Sequence, residues 1–137
     1  MNSKANLRCA VLHEWNENTT LLCDATTDGC VLLSDMFLRV AETPGDSFLV
    51  SEVVDIQLFS DFTLQLDNSS ESQGLHSSNQ NGELVWRHPS AVWLIFADLC
   101  HELACSDGGH QYLEHSNDQI VFELSKNELN TDFWTNI

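Results

Sequence analysis

Alternation of apolar and polar residues over 48–66 is the feature that most constrains the fold of this chain. Even positions in this segment are mostly apolar and odd positions are mostly polar. Successive side chains of a strand point to opposite faces of its sheet, so the pattern predicts a sheet with one buried and one wet face. Keeping the even residues together requires one long bent strand, or a hairpin whose loop near Ser60 and Asp61 has three residues. We therefore expect a central antiparallel unit here.

Shorter apolar segments predict the other strands. They are bounded by Asn, Asp, Gly or Ser residues, which are typical of turns. The run Thr26-Thr27-Asp28-Gly29 is the clearest such turn, with Gly29 free to take a positive φ. Residues 34–42 fit either a strand or a short helix that begins at Ser34. The predicted strands are 7–15, 20–24, 30–33, 83–87, 111–115 and 119–125.

Two helices are predicted in the second half of the chain. Pro89 suits a first helical turn, and the apolar segment 89–105 that it opens ends at Ser106-Asp107-Gly108-Gly109. The first half of this helix is apolar all round, which predicts burial on several sides. Ser125-Lys126-Asn127-Glu128 fits a capping box for a short C-terminal helix reaching Trp134.

These elements predict an α+β fold. We expect an antiparallel sheet of about six or seven strands packed around one central buried helix, with a short C-terminal helix. Residues 67–82 are rich in Ser, Asn and Gln and contain one aliphatic residue, Leu75, so we expect a mobile polar loop there. The length of 137 residues predicts a single domain spanning 1–137.

Charge narrows the class of partner. Asp and Glu number 21 against 5 Lys and Arg, a formal net charge of −16, yet 42% of residues are hydrophobic and the composition is that of a folded chain. A strongly acidic surface repels nucleic acid and anionic membranes and attracts basic partners by long-range steering. We therefore expect a basic protein partner, with no direct binding of nucleic acid and no binding to membranes.

Candidate contact residues follow from the predicted sheet. Asp55, Asp61 and Asp67 share the polar face of the alternating segment, and Glu123 is a candidate for an outward position in a later strand. Trp15 lies at a strand end, where a half-exposed ring can anchor an interface. The same residues also fit a solvated sheet face and ordinary core packing.

Chemistry-bearing motifs are sparse. His101 and Cys105 stand one helical turn apart beside Asp98 and Glu102, which resembles half of a metal site, but the second His of an H-E-x-x-H motif is missing. Neighbouring strand residues such as His13 and Glu14 point to opposite faces and do not form an acid–base pair. We predict no enzyme activity, no metal, no cofactor and no small-molecule substrate.

Cysteine usage and hydropathy bear on the compartment. The five cysteines are odd in number and include no C-x-x-C pair, which is typical of a reduced protein with free thiols. The N-terminal residues show no secretory signal, and the longest apolar run, 91–97, is too short to span a bilayer. These features predict a cytoplasmic protein.

Three functional hypotheses fit these observations. The first is an inhibitor that neutralises a basic protein, with a bacterial nuclease toxin as the most natural target because its substrate demands a positive groove. In size and acidity the chain resembles bacterial immunity proteins, a likeness of class that transfers no residues. The second is a DNA mimic that occupies DNA-binding defence proteins. The third is a small metal-binding or enzymatic domain that uses His101 and Cys105.

Overall fold

The computed structural model describes residues 6–15, 17–50, 53, 55–59, 61–78, 82–115 and 118–136. These residues form nine strands and three helices, so the α+β class is confirmed. In chain order the elements are β1 (Leu7–Trp15), β2 (Asn18–Ala25), α1 (Thr27–Ala41), β3 (Ser47–Leu49), β4 (Ile56–Leu58), β5 (Thr63–Asn68), β6 (Gly74–Ser77), β7 (Glu83–His88), α2 (Ser90–Cys105), β8 (Gly109–Tyr112), β9 (Val121–Lys126) and α3 (Thr131–Thr135).

The strands form two mixed sheets, so the prediction of one antiparallel sheet is wrong. The five-stranded sheet has the order β4-β1-β2-β9-β8, and the four-stranded sheet has the order β3-β5-β7-β6. Three strand pairs are parallel: β1 with β4, β2 with β9, and β5 with β7. Parallel partners are joined through intervening helices and other strands, and the alternation of a single strand carries no information on which distant strand lies beside it.

The alternating segment 48–66 divides between the two sheets. β3 pairs antiparallel with β5 and places Phe48 opposite Leu66, so even residues do share a face, but β4 joins the five-stranded sheet with Ile56 beside Leu7. The expected central hairpin is therefore wrong, although Val50, Leu64 and Leu66 are buried as the pattern predicts. Ser60, in the proposed turn, lies outside the described residues.

Residues 30–33 belong to a helix, which corrects the predicted third strand. Thr26 is the N-cap of α1, and its Oγ1 accepts a hydrogen bond from the amide of Gly29 at 3.1 Å, so the expected turn is a helix start. Ser34 lies in the second turn of α1 instead of beginning a helix. Buried residues recur at Cys30, Leu33, Phe37 and Val40, the spacing of a helix face.

Two packed helices replace the single central helix. The predicted helix at 89–105 is present as α2, with Pro89 as its N-cap. The Phe37 ring of α1 stacks on Trp93 of α2 with centroids 5.4 Å apart, and Ser34 Oγ donates to the carbonyl of Ala97 at 2.9 Å. Because α1 covers only one side of α2, Ile95 remains 58% exposed.

Part of the stretch 67–82 is ordered into strands. Asp67 and Asn68 end β5, and β6 runs along β7. Leu75 is fully buried, and its carbonyl accepts hydrogen bonds from the amides of Gln119 and Ile120. The single aliphatic residue of this stretch is thus the one that attaches it to the core; residues 79–81 lie outside the described residues.

The C-terminal helix begins later than the capping-box pattern predicts. Ser125 and Lys126 extend β9, where they pair with Asp24 and Ala25 of β2. Asn130 is the N-cap of α3, with its side chain accepting from the amide of Phe133 at 3.0 Å. Ladder pairing with β2 outweighs the local capping signal. Among the described helices, none has both the length and the apolar character needed to cross a membrane.

Candidate functional site

The outer face of the five-stranded sheet presents an aromatic and acidic corner. Glu123 of β9 lies opposite Leu22 in the parallel pair with β2. On its other side it lies opposite Tyr112 in the antiparallel pair with β8. Trp15 ends β1 and pairs with Asn18 at the start of β2. Two consecutive strands from each of two distant parts of the chain therefore bring Trp15, Tyr112 and Glu123 together at one corner of the sheet.

Glu123 is held by an aromatic donor. Its side chain is only slightly exposed, at 8% for the residue, and its Oε1 accepts a hydrogen bond from Trp15 Nε1 at 3.3 Å. Tyr112 lies opposite Glu123 in the antiparallel ladder of β8 and β9. Desolvation, followed by the neighbouring Glu123 and the charges of Glu114 and Glu128, raises the pKa of Tyr112. Tyr112 therefore stays neutral at physiological pH, and Glu123 is an acceptor positioned by Trp15.

These residues line a pocket of about 220 Å³, here called the Glu123 pocket. Its described lining is aromatic, hydroxylic, amide and acidic: Trp15, Asn18, Thr20, Tyr112, Glu114, Val121 and Glu123. A neighbouring concavity of about 380 Å³ shares Glu114 and Val121 and adds His115 and Asp118. None of the described residues that line either concavity is Lys or Arg, so this corner has carboxylates without a local counter-charge.

The C-terminal segment closes one side of the corner. The edge of Phe133 packs against Trp15 with centroids 5.8 Å apart, and Arg8 lies 5.2 Å from the Trp134 ring that covers it. His110 lies next to the corner and contacts Glu128 at 3.2 Å. These contacts fix Trp15 in place while leaving its ring only half-buried.

Of the five predicted contact residues, the structure brings together Trp15 and Glu123. Asp55 and Asp61 are exposed, but they precede β4 and β5, which belong to different sheets. Asp55 does not share one polar face with Asp67, as the alternation predicts, because the segment does not form a single hairpin and β4 belongs to the other sheet. Asn6 Nδ2 donates to Asp55 at 2.6 Å.

Asp67 is a structural carboxylate. It is 7% exposed and accepts hydrogen bonds from Ser47, Gln65 and Arg87, the last at 2.9 Å from Nη2. Burial alone would raise its pKa, but the hydrogen bonds from Gln65, Ser47 and Arg87 outweigh burial and lower the pKa. With its oxygens committed to neighbours, Asp67 is poorly placed to receive a partner's cation.

Sequence reasoning missed Tyr112 and Glu114. Both lie in the segment that was predicted as a strand, two residues apart, and therefore on the same face. The sequence does show an aromatic and an acidic residue at this spacing, which indicates that they share a face. It does not show the register of β8 against β9, which sets Tyr112 opposite Glu123.

The surface charge is mostly negative because the described basic residues are buried, paired with acids or stacked on a ring. Arg8 contacts Asp24 at 3.3 Å in the interior, and Lys126 donates to the carbonyls of Ala104 and Ser106. Arg87 is paired with Asp67, and Arg39 lies over the Phe48 ring at 5.4 Å. The exposed carboxylates are Glu14, Glu17, Asp28, Asp35, Glu42, Asp46, Asp55, Asp61, Glu71, Glu83, Asp98, Glu102, Asp107, Glu114, Glu128 and Asp132.

His101 and Cys105 do lie close together on α2. Cys105 Sγ is 3.9 Å from His101 Nε2, and both residues are exposed. Across the described part of the chain, no group of three or more His, Cys, Asp or Glu side chains is arranged to hold a metal ion. His110 contacts Glu128, and His115 packs against His88 with ring centroids 4.8 Å apart, so neither completes the pair on α2.

A wider cleft of about 900 Å³ lies where α2 begins. Its lining includes Asp46, Asp67, Asn68, Arg87 and Ser90. Arg87 is already engaged by Asp67 and by Gln73 Oε1 at 2.9 Å, and Asn68 Nδ2 donates to the carbonyl of Val40 at 2.7 Å. Arg87 and Asn68 are therefore already engaged by neighbouring groups, in contrast to the carboxylates of the Glu123 pocket, which have no described base beside them.

Comparisons with known proteins give no relative. No family model matches the chain, and neither a curated protein nor a solved structure shows significant similarity to it.

Proposed function

We propose that this protein is an inhibitor that binds a basic protein partner, and that the Glu123 pocket receives a Lys or Arg side chain of that partner. The observation that carries the proposal is a pocket lined by the carboxylates of Glu114 and Glu123 together with Trp15 and Tyr112, with no described Lys or Arg in the lining. Within this class of inhibitors, the acidic composition favours an immunity protein that neutralises a bacterial nuclease toxin in the cytoplasm.

The chemistry of the pocket supports a cationic guest. Aromatic faces attract ammonium and guanidinium groups, and Trp and Tyr are enriched at interfaces because one end of each ring system is apolar and the other can hydrogen-bond. Glu123 is nearly buried and is held by Trp15, so little side-chain entropy is lost when a cation arrives. Glu114 is exposed at the same rim and adds a second charge.

The overall charge supports rapid capture of such a partner. Most of the described carboxylates are exposed, while the described bases are buried, paired with acids or stacked on a ring. An electrostatic field of one sign raises the rate of encounter with an oppositely charged protein. This gain in rate becomes smaller as the ionic strength rises. A nuclease toxin fits because its nucleic-acid groove is positive and is blocked by an acidic protein.

Affinity capture from lysate of the native host tests the proposal. Immobilised wild type is compared at low and moderate salt with a Glu114→Gln/Glu123→Gln variant and with a matched control, Glu42→Gln/Glu71→Gln, whose exposed acids lie elsewhere. We expect a basic protein that is retained by the wild type and the control and retained roughly tenfold less by the pocket variant.

The other two hypotheses predict different experimental results. A DNA mimic would recover several unrelated DNA-binding proteins, all displaced by duplex DNA. A metal protein would carry metal by elemental analysis and lose it when His101 and Cys105 are both replaced by Ala. Capture of a neutral or acidic protein, or equal loss in the pocket and control variants, would refute the role assigned to the Glu123 pocket.

A further inference from the structure

Cys9 and Cys23 form a buried thiol pair at the centre of the five-stranded sheet. The two residues are directly opposite each other in the antiparallel ladder of β1 and β2. They are 4% and 1% exposed, and their sulfurs lie 2.8 Å apart. The other described cysteines show no such sulfur–sulfur contact: Cys30 and Cys100 are buried, and exposed Cys105 contacts His101.

The geometry of the pair is close to that of a disulfide. Opposed residues of an antiparallel ladder have Cα atoms about 4.5 or 5.5 Å apart, and both values fall inside the range of about 4.4–6.8 Å found across disulfides. A covalent S–S bond is about 2.05 Å long, so the sulfurs need to approach by less than 1 Å. The backbone of β1 and β2 can therefore remain in its present register.

We propose that Cys9 and Cys23 are an oxidisable pair that forms an intrachain disulfide. The oxidant is a small-molecule disulfide such as oxidised glutathione. One cysteine thiolate attacks the oxidant and releases one thiol, giving a mixed disulfide; the second protein thiolate attacks that bond and releases the other thiol. The protein loses two hydrogens and two electrons, and the small disulfide is reduced to two thiols.

Burial determines when the bond forms. The pKa of Cys23 is raised, first by burial and then by its hydrogen bond to Cys9, so the reactive thiolate is scarce in the folded protein. Exchange therefore occurs while the chain is folding or locally open, and the finished bond is shielded. It would tie β1 to β2, the strands that carry Trp15 and Thr20 into the Glu123 pocket.

Refolding under a defined redox buffer tests the pairing. A Cys105→Ser chain, which lacks the exposed thiol, is reduced, unfolded and refolded with reduced and oxidised glutathione, and is compared with the same chain refolded in excess reductant. We expect oxidative refolding to give a product about 2 Da lighter, with two fewer thiols and an unchanged far-UV circular dichroism spectrum.

The sequence allows the bond to be located. Cleavage after Glu14 and Glu17 separates Cys9 from Cys23, and cleavage before Asp24 and Asp28 separates Cys23 from Cys30. A linked peptide pair containing Cys9 and Cys23, released by reductant, supports the proposal. A bond that includes Cys30 or Cys100, or a product that keeps every thiol, overturns it.

Matched variants separate pairing from folding. In the Cys105→Ser chain, Cys100→Ala should still lose about 2 Da on oxidative refolding, whereas Cys9→Ala should not. Loss of the mass change in both variants would contradict the assigned pair. Peptide mapping of the Cys105→Ser chain without further substitution decides the question if either additional variant fails to fold.

Discussion

Trp15 Nε1 donates a hydrogen bond to Glu123 Oε1 at 3.3 Å, across 108 positions of sequence. The bond joins the last residue of β1 to the middle of β9, two strands that are separated by β2 in the sheet. It holds an indole ring beside a nearly buried carboxylate at the corner where we propose that a partner's cation binds. The same contact thus has a structural and a proposed functional role.

The structural part of this contact is measurable by a double-mutant cycle. Trp15→Phe removes the donor while retaining a ring, and Glu123→Gln removes the charge while retaining an oxygen acceptor. We expect a coupling of about 1 kcal/mol in the free energy of unfolding, as for a part-buried hydrogen bond to a charged acceptor. Urea denaturation of the four proteins measures it, and additivity of the two single changes would show that the charge of Glu123 adds nothing to the bond.

Arg87 is expected to stabilise the fold through Asp67. Replacing Arg87 with Met leaves a nearly buried carboxylate without its cation and should lower the free energy of unfolding by about 2 kcal/mol. Arg39→Met is the control, because the Arg39 side chain lies over the Phe48 ring at the surface. Equal effects of the two substitutions in urea denaturation would argue against the importance of the ion pair.

The stability contributed by the ion pair of Asp67 and Arg87 should decrease as the pH falls. Although burial opposes it, the hydrogen bonds from Gln65, Ser47 and Arg87 lower the folded-state pKa of Asp67 below its ordinary value of 3.8. The stabilisation is therefore present above the unfolded pKa and is lost as pH falls through the folded pKa. In Arg87→Met the loss should begin at a higher pH, which thermal unfolding in a pH series will detect.

His88 is expected to destabilise the fold as the solution becomes mildly acidic. Burial, followed by the neighbouring His115, lowers the pKa of His88 from 6.5 to about 4. Between those two values the unfolded chain binds the proton and the folded chain does not, so stability falls as pH is lowered, by about 3 kcal/mol in full.

Replacing His88 with Phe should remove that dependence. The ring lies among aromatic side chains, including Trp93 and Phe96, which accommodate another aromatic ring. Unfolding free energies at about pH 7 and about pH 5 should converge in His88→Phe relative to wild type. An unchanged slope between those pH values would show that other groups cause the acid sensitivity.

Gly29 should not tolerate alanine, although it lies in a helix. A Cβ at this position would sit 2.0 Å from the carbonyl oxygen of Asn6, so the backbone of one segment must move. A helical Gly→Ala change ordinarily stabilises by up to about 1 kcal/mol, whereas here we expect destabilisation of about 2 kcal/mol. Asp35→Ala, at an exposed position of α1, is the control and should be near neutral.

The sequence predicts which residues are buried better than it predicts their neighbours. Alternation identifies Val50, Leu64 and Leu66 as core residues, and Pro89 with the apolar run after it identifies α2. Alternation says which way a side chain points and nothing about the strand beside it. The assignment of β3 and β4 to different sheets depends on long-range packing.

The residues of helix α1 contain a helical pattern that competes with a local preference for a strand. Cys30, Leu33, Phe37 and Val40 follow a helical spacing, but the apolar run at 30–33 favours a strand when considered alone. Burial against α2 decides in favour of the helix. Thr26 then serves as the N-cap, because its hydroxyl can accept from the amide of Gly29.

The candidate site could be predicted only in pieces. Trp15 and Glu123 stand out as a strand-end aromatic residue and an acidic strand residue, yet no local pattern joins them. Their contact depends on the parallel register of β2 and β9, which sets Leu22 beside Glu123. Asp67 looks equivalent to Asp55 in the sequence, and only the fold reveals that Arg87 neutralises it.

Association kinetics of the captured partner test the central claim most directly. Binding to wild type and to Glu114→Gln/Glu123→Gln is followed from about 0.05 M to about 0.3 M salt. We predict that the association rate of the wild type falls roughly tenfold or more over this range, and that the pocket variant dissociates faster at every salt concentration. Association that is independent of salt, with equal dissociation rates for the two proteins, would contradict both the electrostatic capture and the pocket.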